Sequence, residues 1–436
     1  MAGSFAIPFG RQLVSIALAG ELIQPRAAPP VDDEIALLSH AMRHPIGTPP
    51  LEELVRGGEH VAIVVSDITR RVRAELVLPI ILQALNRAGV PDQNIFLVFA
   101  LGNHRPHTPA EHKLIVGEQI YGRLRLYDHN AWRESELVKV GVTRFGNVVE
   151  INRRVVEADR IILTGGIVPH RIAGYTGGRK SVVPGLAAAR TIEFNHRMVL
   201  DPRCRLCALE GNPAHEDMLE GCSMVNPDFI VNVILNPEGT LLQAVAGHFA
   251  LAHQQGCQAA AELLGTPLDS HFDLVVASAG GWPFDIDLRQ AHKGMEHACL
   301  ALRPGGVLYY YAECAEGLGS PHIERYLSLY GDARSIEQAL RERFEVGAHK
   351  ALWLVQLGQR YRVHLVTRLD PELVRRCGFN PVPPERHQQR LEELLNAEPG
   401  MRVGVMPNAG STIAWVEADR ARPAVSWPQN ITGRRI

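Results

Sequence analysis

Short β-branched runs that stop at glycine or polar clusters, each followed by a stretch with helical spacing, constrain this chain more than any other feature. VAIVVSD (61–67), NIFLVFALGNH (94–104), RIILTGGIVPH (160–170) and FIVNVILN (229–236) are largely apolar rather than alternating. A strand that is apolar on both faces must be covered on both, which is the condition of parallel sheets flanked by helices. Between them, ELVLPIILQALNRAGV (75–90) carries the apolar stripe of an amphipathic helix. The pattern predicts an α/β fold with mostly parallel sheets. Three of the runs end in SDITR, LGNHRPHT and GGIVPHR, and open parallel sheets bind ligands beyond the C-terminal ends of their strands.

A second block repeats the strand, loop and helix order. It begins at FDLVVASAGGWPFDID (272–287), runs through RQAHKGMEHACLAL (289–302) and GGVLYYYAE (305–313), and ends in MRVGVMPNAG (401–410). A chain of 436 residues is long for one domain. The expectation is two α/β domains, 1–268 and a smaller 269–436, with a cleft between them and a hinge near residue 268. The strand from about residue 401 either stays in the second domain or returns to the first. PVPPER (381–386) reads as a loop before a helix.

Charge excludes one class of partner. With 45 basic and 47 acidic residues the net charge is −2, so there is no basic surplus for nucleic acid. No apolar run reaches the roughly 18 to 20 residues of a membrane helix, and MAGSFAIPFGRQL lacks the basic-then-apolar order of a secretory signal. A cytoplasmic protein without membrane partners is expected. The seven cysteines are scattered, and only Cys204 and Cys207 form a CxxC, with no second pair to complete a four-ligand zinc site. They read as reduced, structural thiols.

The strand ends hold the chemistry. Ser66, Asp67, Thr69 and Arg70 suit phosphate or carboxylate binding, although Asp67 or Thr69 could equally cap a helix. His104 follows a strand on a glycine-containing loop, where imidazole can exchange protons near neutral pH. His107 and His112 read as histidines that only bond backbone. Residues 165–196, GGIVPHRIAGYTGGRKSVVPGLAAARTIEFNH, set Lys180 in a glycine-rich loop and His196, with Glu193, on a helix after Pro184. The spacing is neither a Walker loop nor a dinucleotide fingerprint. Imidazole suits nickel, copper or zinc. Singly these histidines are most often structural. His104, His170, Lys180 and His196 on loops of one domain are a different matter. In the second block Arg289, Gln290, His292 and Lys293 open a helix, with Gln290 and Lys293 spaced to clamp a small carboxylate unless they are a solvated face. Trp353 lies in HKALWLVQLG.

The chain resembles the nickel-dependent lactate racemase family over nearly its whole length. The likeness runs from HPIGTPPLEEL (44–54) and SDITR through LGNHRPHT, VPHRIAGYTGGRKSVVPG, FNHRMV and LEGNPAHEDM (209–218) to QAHKGM (290–295) and Trp353. The resemblance implies racemisation or epimerisation of a 2-hydroxy acid with a nickel-pincer nucleotide, a pyridinium mononucleotide whose ring carbon and two sulfur substituents hold the metal. It implies covalent attachment at Lys180 through a thioamide, His196 as nickel ligand, and Asp67, Ile68, Thr69 and Arg70 against the nucleotide in a cofactor-binding first domain. His104 and His170 become the paired acid/base residues, and Gln290, Lys293 and Arg70 bind the substrate carboxylate, with Arg289 and Trp353 nearby. Cofactor biosynthesis enzymes are implied as partners. A hydride route suits the chemistry, because an α-proton beside a carboxylate is far too weakly acidic for histidine. Where the lactate enzymes carry tyrosine before the glutamine, this chain has Arg289, and a second cation suits a larger or more anionic acid than lactate. The alternatives are a non-catalytic carrier of the nucleotide, which needs Lys180 and His196 but no pair of bases, and a zinc hydrolase, which lacks HExxH spacing.

Overall fold

In this computed structural model, residues 3–25, 31–70, 72–236, 239–345 and 347–416 are described. They form two compact units, one from the described residues of Ala28–Leu263 and the other from those of Met1–Ala27 and Leu264–Arg420.

The first unit is built on a six-stranded sheet in the order Leu241–Gly247, Phe229–Leu235, Arg160–Gly166, Val61–Ser66, Ile95–Ala100, Arg125–Asp128. All neighbours are parallel except the antiparallel pair Phe229–Leu235 and Leu241–Gly247. The strand Val61–Ser66 shows why the apolar runs are continuous. Val61, Ile63 and Val65 pack on one side with Val77, Leu78, Ile81 and Leu85 of the helix Ala74–Arg87. Ala62 and Val64 pack on the other with Val149, Ile151, Leu163, Val182 and Val183. Burying such a side chain is worth roughly 1.5–3 kcal/mol, so both faces select against polar residues until the strand ends at Ser66. Three adjacent parallel strands, Arg160–Gly166, Val61–Ser66 and Ile95–Ala100, therefore release GGIVPHR, SDITR and LGNHRPHT side by side at their C-terminal ends.

The second unit has its own six-stranded sheet, in the order Asn380–Val382, Arg362–Val366, Leu302–Tyr311, Phe272–Ser278, Val403–Met406, Glu21–Leu22, all parallel. The strand near residue 401 thus stays in this unit. Two features depart from the sequence reading. The first residues of the chain belong here and not with 28–263: the hairpin Gly3–Phe9 and Gln12–Leu18 buries Ile7, Phe9, Ile16 and Leu18 against Leu274, Val276, Tyr309 and Tyr311. The unit also starts at Leu264 and not 269, because Gly265–Leu268 pairs with Ile413–Val416. Within PVPPER, Pro381 and Val382 form strand, where a missing N–H is tolerated because the strand lies at the sheet edge. Among the described residues no helix is long and apolar enough to cross a membrane.

Candidate active site

The Lys180 loop is held from beneath by groups that, among the described residues, set no carboxylate against its amine. Gly177 and Gly178 take positive φ, and a Cβ on Gly178 would lie 2.6 Å from the His253 ring, so only glycine fits. Asn232 Oδ1 accepts the Gly178 N–H at 2.8 Å. Arg179 is fully buried and donates to the backbone oxygens of Ala173 at 2.6 Å and Gly177 at 3.3 Å. Its charge thus sits under the loop. Lys180 follows in a single 3-10 turn, Gly178–Ser181.

The hydrogen bonds around His170 define the state of that amine. The backbone N–H groups of Ile172 and Ala173 both donate to His170 Nδ1, each at 3.2 Å. Nδ1 therefore carries the lone pair, and the neutral ring holds its proton on Nε2. Nε2 lies 3.2 Å from Lys180 Nζ. The ring donates, so the amine that accepts is unprotonated. Electrostatics points the same way: burial, then Arg70 and Arg179, hold the Lys180 pKa well below the usual lysine range. Burial, then Lys180, Arg70, His196 and Arg179, do the same to His170. His170 thus lies in the fields of Lys180, Arg70 and His196.

His196 is carried by the helix Ala189–Arg197, and its Nδ1 donates to Ile192 O at 2.9 Å. Its Nε2 keeps a lone pair, and burial followed by Lys180 pushes its pKa down to about 4. His104 belongs to the same cluster of strand-end loops, since the Gly102 N–H donates to Gly185 O at 2.9 Å and ties its loop to the segment after Lys180. His104 Nδ1 is hydrogen-bonded to Asp67 Oδ2. The histidine is 53% exposed while Asp67 is buried, so the imidazole faces solvent from an anchored base. Burial alone would raise the Asp67 pKa, but hydrogen bonds from His104 and Thr69 and the charges of His104 and Arg70 hold it below the usual range.

Asp67 therefore does not cap a helix. Its Oδ1 accepts from Thr69 N at 3.1 Å and Thr69 Oγ1 at 2.6 Å, leaving Thr69 and Arg70 exposed beside it. His107 and His112 also differ from the reading of the sequence, since both bond the carboxylate of Asp128. The cysteines are free thiols, and burial raises the Cys204 pKa to about 11.

In the other unit, Asp287 caps the helix Leu288–Leu300 by accepting the Gln290 N–H at 2.7 Å. Lys293 Nζ donates to Gln290 Oε1 at 3.0 Å, so the two do share a face, and Arg289 and Lys293 are exposed. Trp353 is largely buried and stacks on His292, with ring centroids 5.8 Å apart. Lys350, one helical turn before Trp353, was not singled out from sequence. Its Nζ donates to Arg289 O at 3.0 Å, and burial, then Lys293, lowers its pKa to about 8. Its only signal in the sequence is a three-residue offset from Trp353.

A family model described as the lactate racemase N-terminal domain matches residues 9–206, and one described as the lactate racemase C-terminal domain matches residues 269–398. The chain belongs to the lactate racemase family. The lactate racemase of Thermoanaerobacterium thermosaccharolyticum is 32% identical over 345 residues, covering 77% of this chain and 80% of that protein. The lactate racemase of Lactiplantibacillus plantarum is 33% identical over 343 residues, with the same coverage. The structure of the lactate racemase apoprotein from T. thermosaccharolyticum superposes with a TM-score of 0.83 at 29% identity, covering 94% of this chain and 100% of that one. A Thermotoga maritima protein shares the fold alone, with a TM-score of 0.62 at 16% identity. As a member of the lactate racemase family the chain is a racemase, an isomerase. The N-terminal family model spans His104, His170, Lys180 and His196.

Proposed function

We propose that this racemase inverts C2 of a 2-hydroxy acid with a nickel-pincer nucleotide attached at Lys180. One observation carries the reading: a lysine whose amine must be neutral to accept from His170 Nε2, in the same electrostatic cluster as an imidazole with a free Nε2. The residues fit the group. A neutral amine is the nucleophile a thioamide bond requires. A neutral imidazole whose other nitrogen donates to a carbonyl has the orientation expected of a metal ligand, so His196 Nε2 holds nickel. Exposed Thr69 and Arg70 take the phosphate.

When bound at Lys180 and His196, the group would supply the hydride-accepting chemistry that C2 needs. The chain supplies the proton transfers. His104 exchanges its proton at Nε2, because Nδ1 is committed to Asp67, and the buried carboxylate stabilises the imidazolium when the hydroxyl proton arrives. His170 meets the substrate through Nε2, whose proton it can donate; to accept a proton there it must first carry its own on Nδ1, giving up the two backbone N–H bonds to that atom. Two bases serve two faces of the planar keto acid. A carrier of the nucleotide would have no use for the Asp67–His104 couple. Gln290 and Lys293 bind the carboxylate. The cofactor biosynthesis enzymes are its partners, and its free thiols suit the cytoplasm.

Replacing Asp67 with asparagine offers His104 Nδ1 an amide donor, which moves the ring proton to Nε2 and blocks the base. We expect kcat to fall about 10²- to 10⁴-fold at unchanged nickel content, measured by polarimetry on the loaded protein. Wild-type turnover in that variant would remove Asp67 from the mechanism.

Arg289 directs the reading toward a substrate larger or more anionic than lactate. Arg289→Tyr should lower kcat/KM for dicarboxylic 2-hydroxy acids about 10- to 100-fold, the worth of one charge-assisted hydrogen bond, with lactate much less affected. An unchanged ratio between the two substrates would take Arg289 out of specificity. The experiment that tests the whole proposal is co-expression with the cofactor biosynthesis enzymes. The expected result is a mass increase on Lys180, stoichiometric nickel, and inversion of at least one acid from a panel led by dicarboxylates and sugar acids. An unmodified, nickel-free chain would overturn it.

A further inference from the structure

His107, Asp128 and His112 form a polar cluster next to the catalytic loops that the proposed mechanism does not use. The Ile68 backbone N–H donates to His107 Nε2 at 3.2 Å. That acceptor role requires the ring proton on Nδ1, which lies 3.1 Å from Asp128 Oδ1. Asp128 Oδ2 accepts the backbone N–H of His107 at 2.7 Å, and His112 Nε2 lies 2.9 Å from Oδ1. The His107 side chain is 1% exposed and meets Phe99 edge-on, while His112 stacks on the same ring.

The three residues place one donor atom each within 4.8 Å of one another, a separation a metal ion could span. The hydrogen bonds argue for another role. A ligating imidazole ordinarily donates from its second nitrogen, but His107 Nε2 receives an N–H. A metal on Nδ1 would need a ring with no proton at all. The cluster is instead complete as a chain of donors and acceptors that ends on one backbone amide.

That amide lies beside the carboxylate that orients His104. Asp67 and Ile68 are consecutive in the loop after Val61–Ser66. Each is tied to a residue of the loop after Ile95–Ala100, Asp67 to His104 and Ile68 to His107. We infer that His107 is a positioning residue for His104: the Asp128–His107 couple fixes the Ile68 amide, and with it the peptide that carries Asp67. The inference rests on the acid/base reading of His104. Displacing a catalytic group by about 1 Å costs on the order of 10²-fold in rate, so a clamp one residue from Asp67 matters for kcat.

Two variants separate this role from simple support of the fold. In His107→Gln, the side-chain oxygen reaches the Nε2 position and can still accept from Ile68. In His107→Asn, the shorter amide mimics Nδ1, keeping Asp128 but losing Ile68. Amide exchange of the peptide containing Ile68, followed in cofactor-free protein, should speed up about tenfold in His107→Asn, the worth of one hydrogen bond, and stay near wild type in His107→Gln. In loaded protein, kcat should fall about 10- to 100-fold in His107→Asn with KM little changed, and His107→Gln should recover most of the loss. Equal loss in both variants, or unchanged Ile68 exchange in His107→Asn, would overturn the clamp. So would zinc or nickel bound by cofactor-free protein and lost in His112→Gln. If wild-type protein inverted no acid on the panel, the functional reading would fail by itself, since the exchange contrast decides the clamp without turnover.

Discussion

Lys180→Ala should eliminate covalent attachment of the cofactor and reduce racemisation to the uncatalysed background, a loss of at least about 10⁶-fold. The magnitude follows from the division of labour, since the bound group carries the difficult step and the protein orients and moves protons around it. Lys180→Arg should fail equally. Arginine has a similar reach but stays protonated and has no lone pair for the bond. Solvent-exposed lysine, with a pKa near 10.4, is only about 0.04% neutral at pH 7. The depressed pKa of Lys180 removes that handicap, because the neutral amine is present at every pH above the lowered value. Labelling cofactor-free protein with a small acylating reagent at neutral pH should therefore modify Lys180 ahead of surface lysines that it can reach equally well. Intact mass and nickel content of the co-expressed variants decide the matter. A Lys180→Ala protein that kept the mass increase and its metal would end the covalent role.

What sequence alone could show follows a physical division between local and long-range effects. The strand Val61–Ser66 and its neighbours were legible because continuous burial demands a continuous apolar run, and the polar clusters at their ends mark where burial stops. The helix read over 289–302 runs from Leu288 to Leu300, and its start is set by Asp287, whose capping role only the structure shows. The hairpin at Gly3–Phe9 and Gln12–Leu18 was not placed, because its alternating pattern says that one face is covered without saying by what. The covering residues Leu274, Val276 and Tyr309 lie more than 250 positions away. The Asp67–His104 pair escaped for a similar reason. Its partners are 37 residues apart, and nothing local separates a carboxylate that orients a base from one that caps a helix. Trp353 was placed at the substrate. Its ring is largely buried and stacked on His292, which lies between Gln290 and Lys293 on the helix Leu288–Leu300.

Replacing either histidine proposed as acid/base should cost about 10²- to 10⁴-fold in kcat while cofactor loading persists, because neither is proposed as the attachment residue or the metal ligand. His104→Asn and His170→Asn test more than magnitude. The equilibrium constant between the two configurations is a property of the acids, so each variant must lose kcat/KM by the same factor in both directions. Steady-state rates therefore cannot tell which histidine serves which face. A single turnover can. With one base missing, the acid whose hydroxyl faces the surviving histidine can still be oxidised, and it should give a burst of 2-keto acid. Its mirror image at C2 should not. The configuration that gives the burst must be opposite in the two variants if His104 and His170 stand on opposite faces. The double variant should be little worse than the poorer single one, because residues acting as a unit are not additive. Rapid quench with chromatographic detection of the keto acid measures each case. A burst from the same configuration in both variants would refute the two-face arrangement, and a wild-type rate in either would remove that histidine from proton transfer.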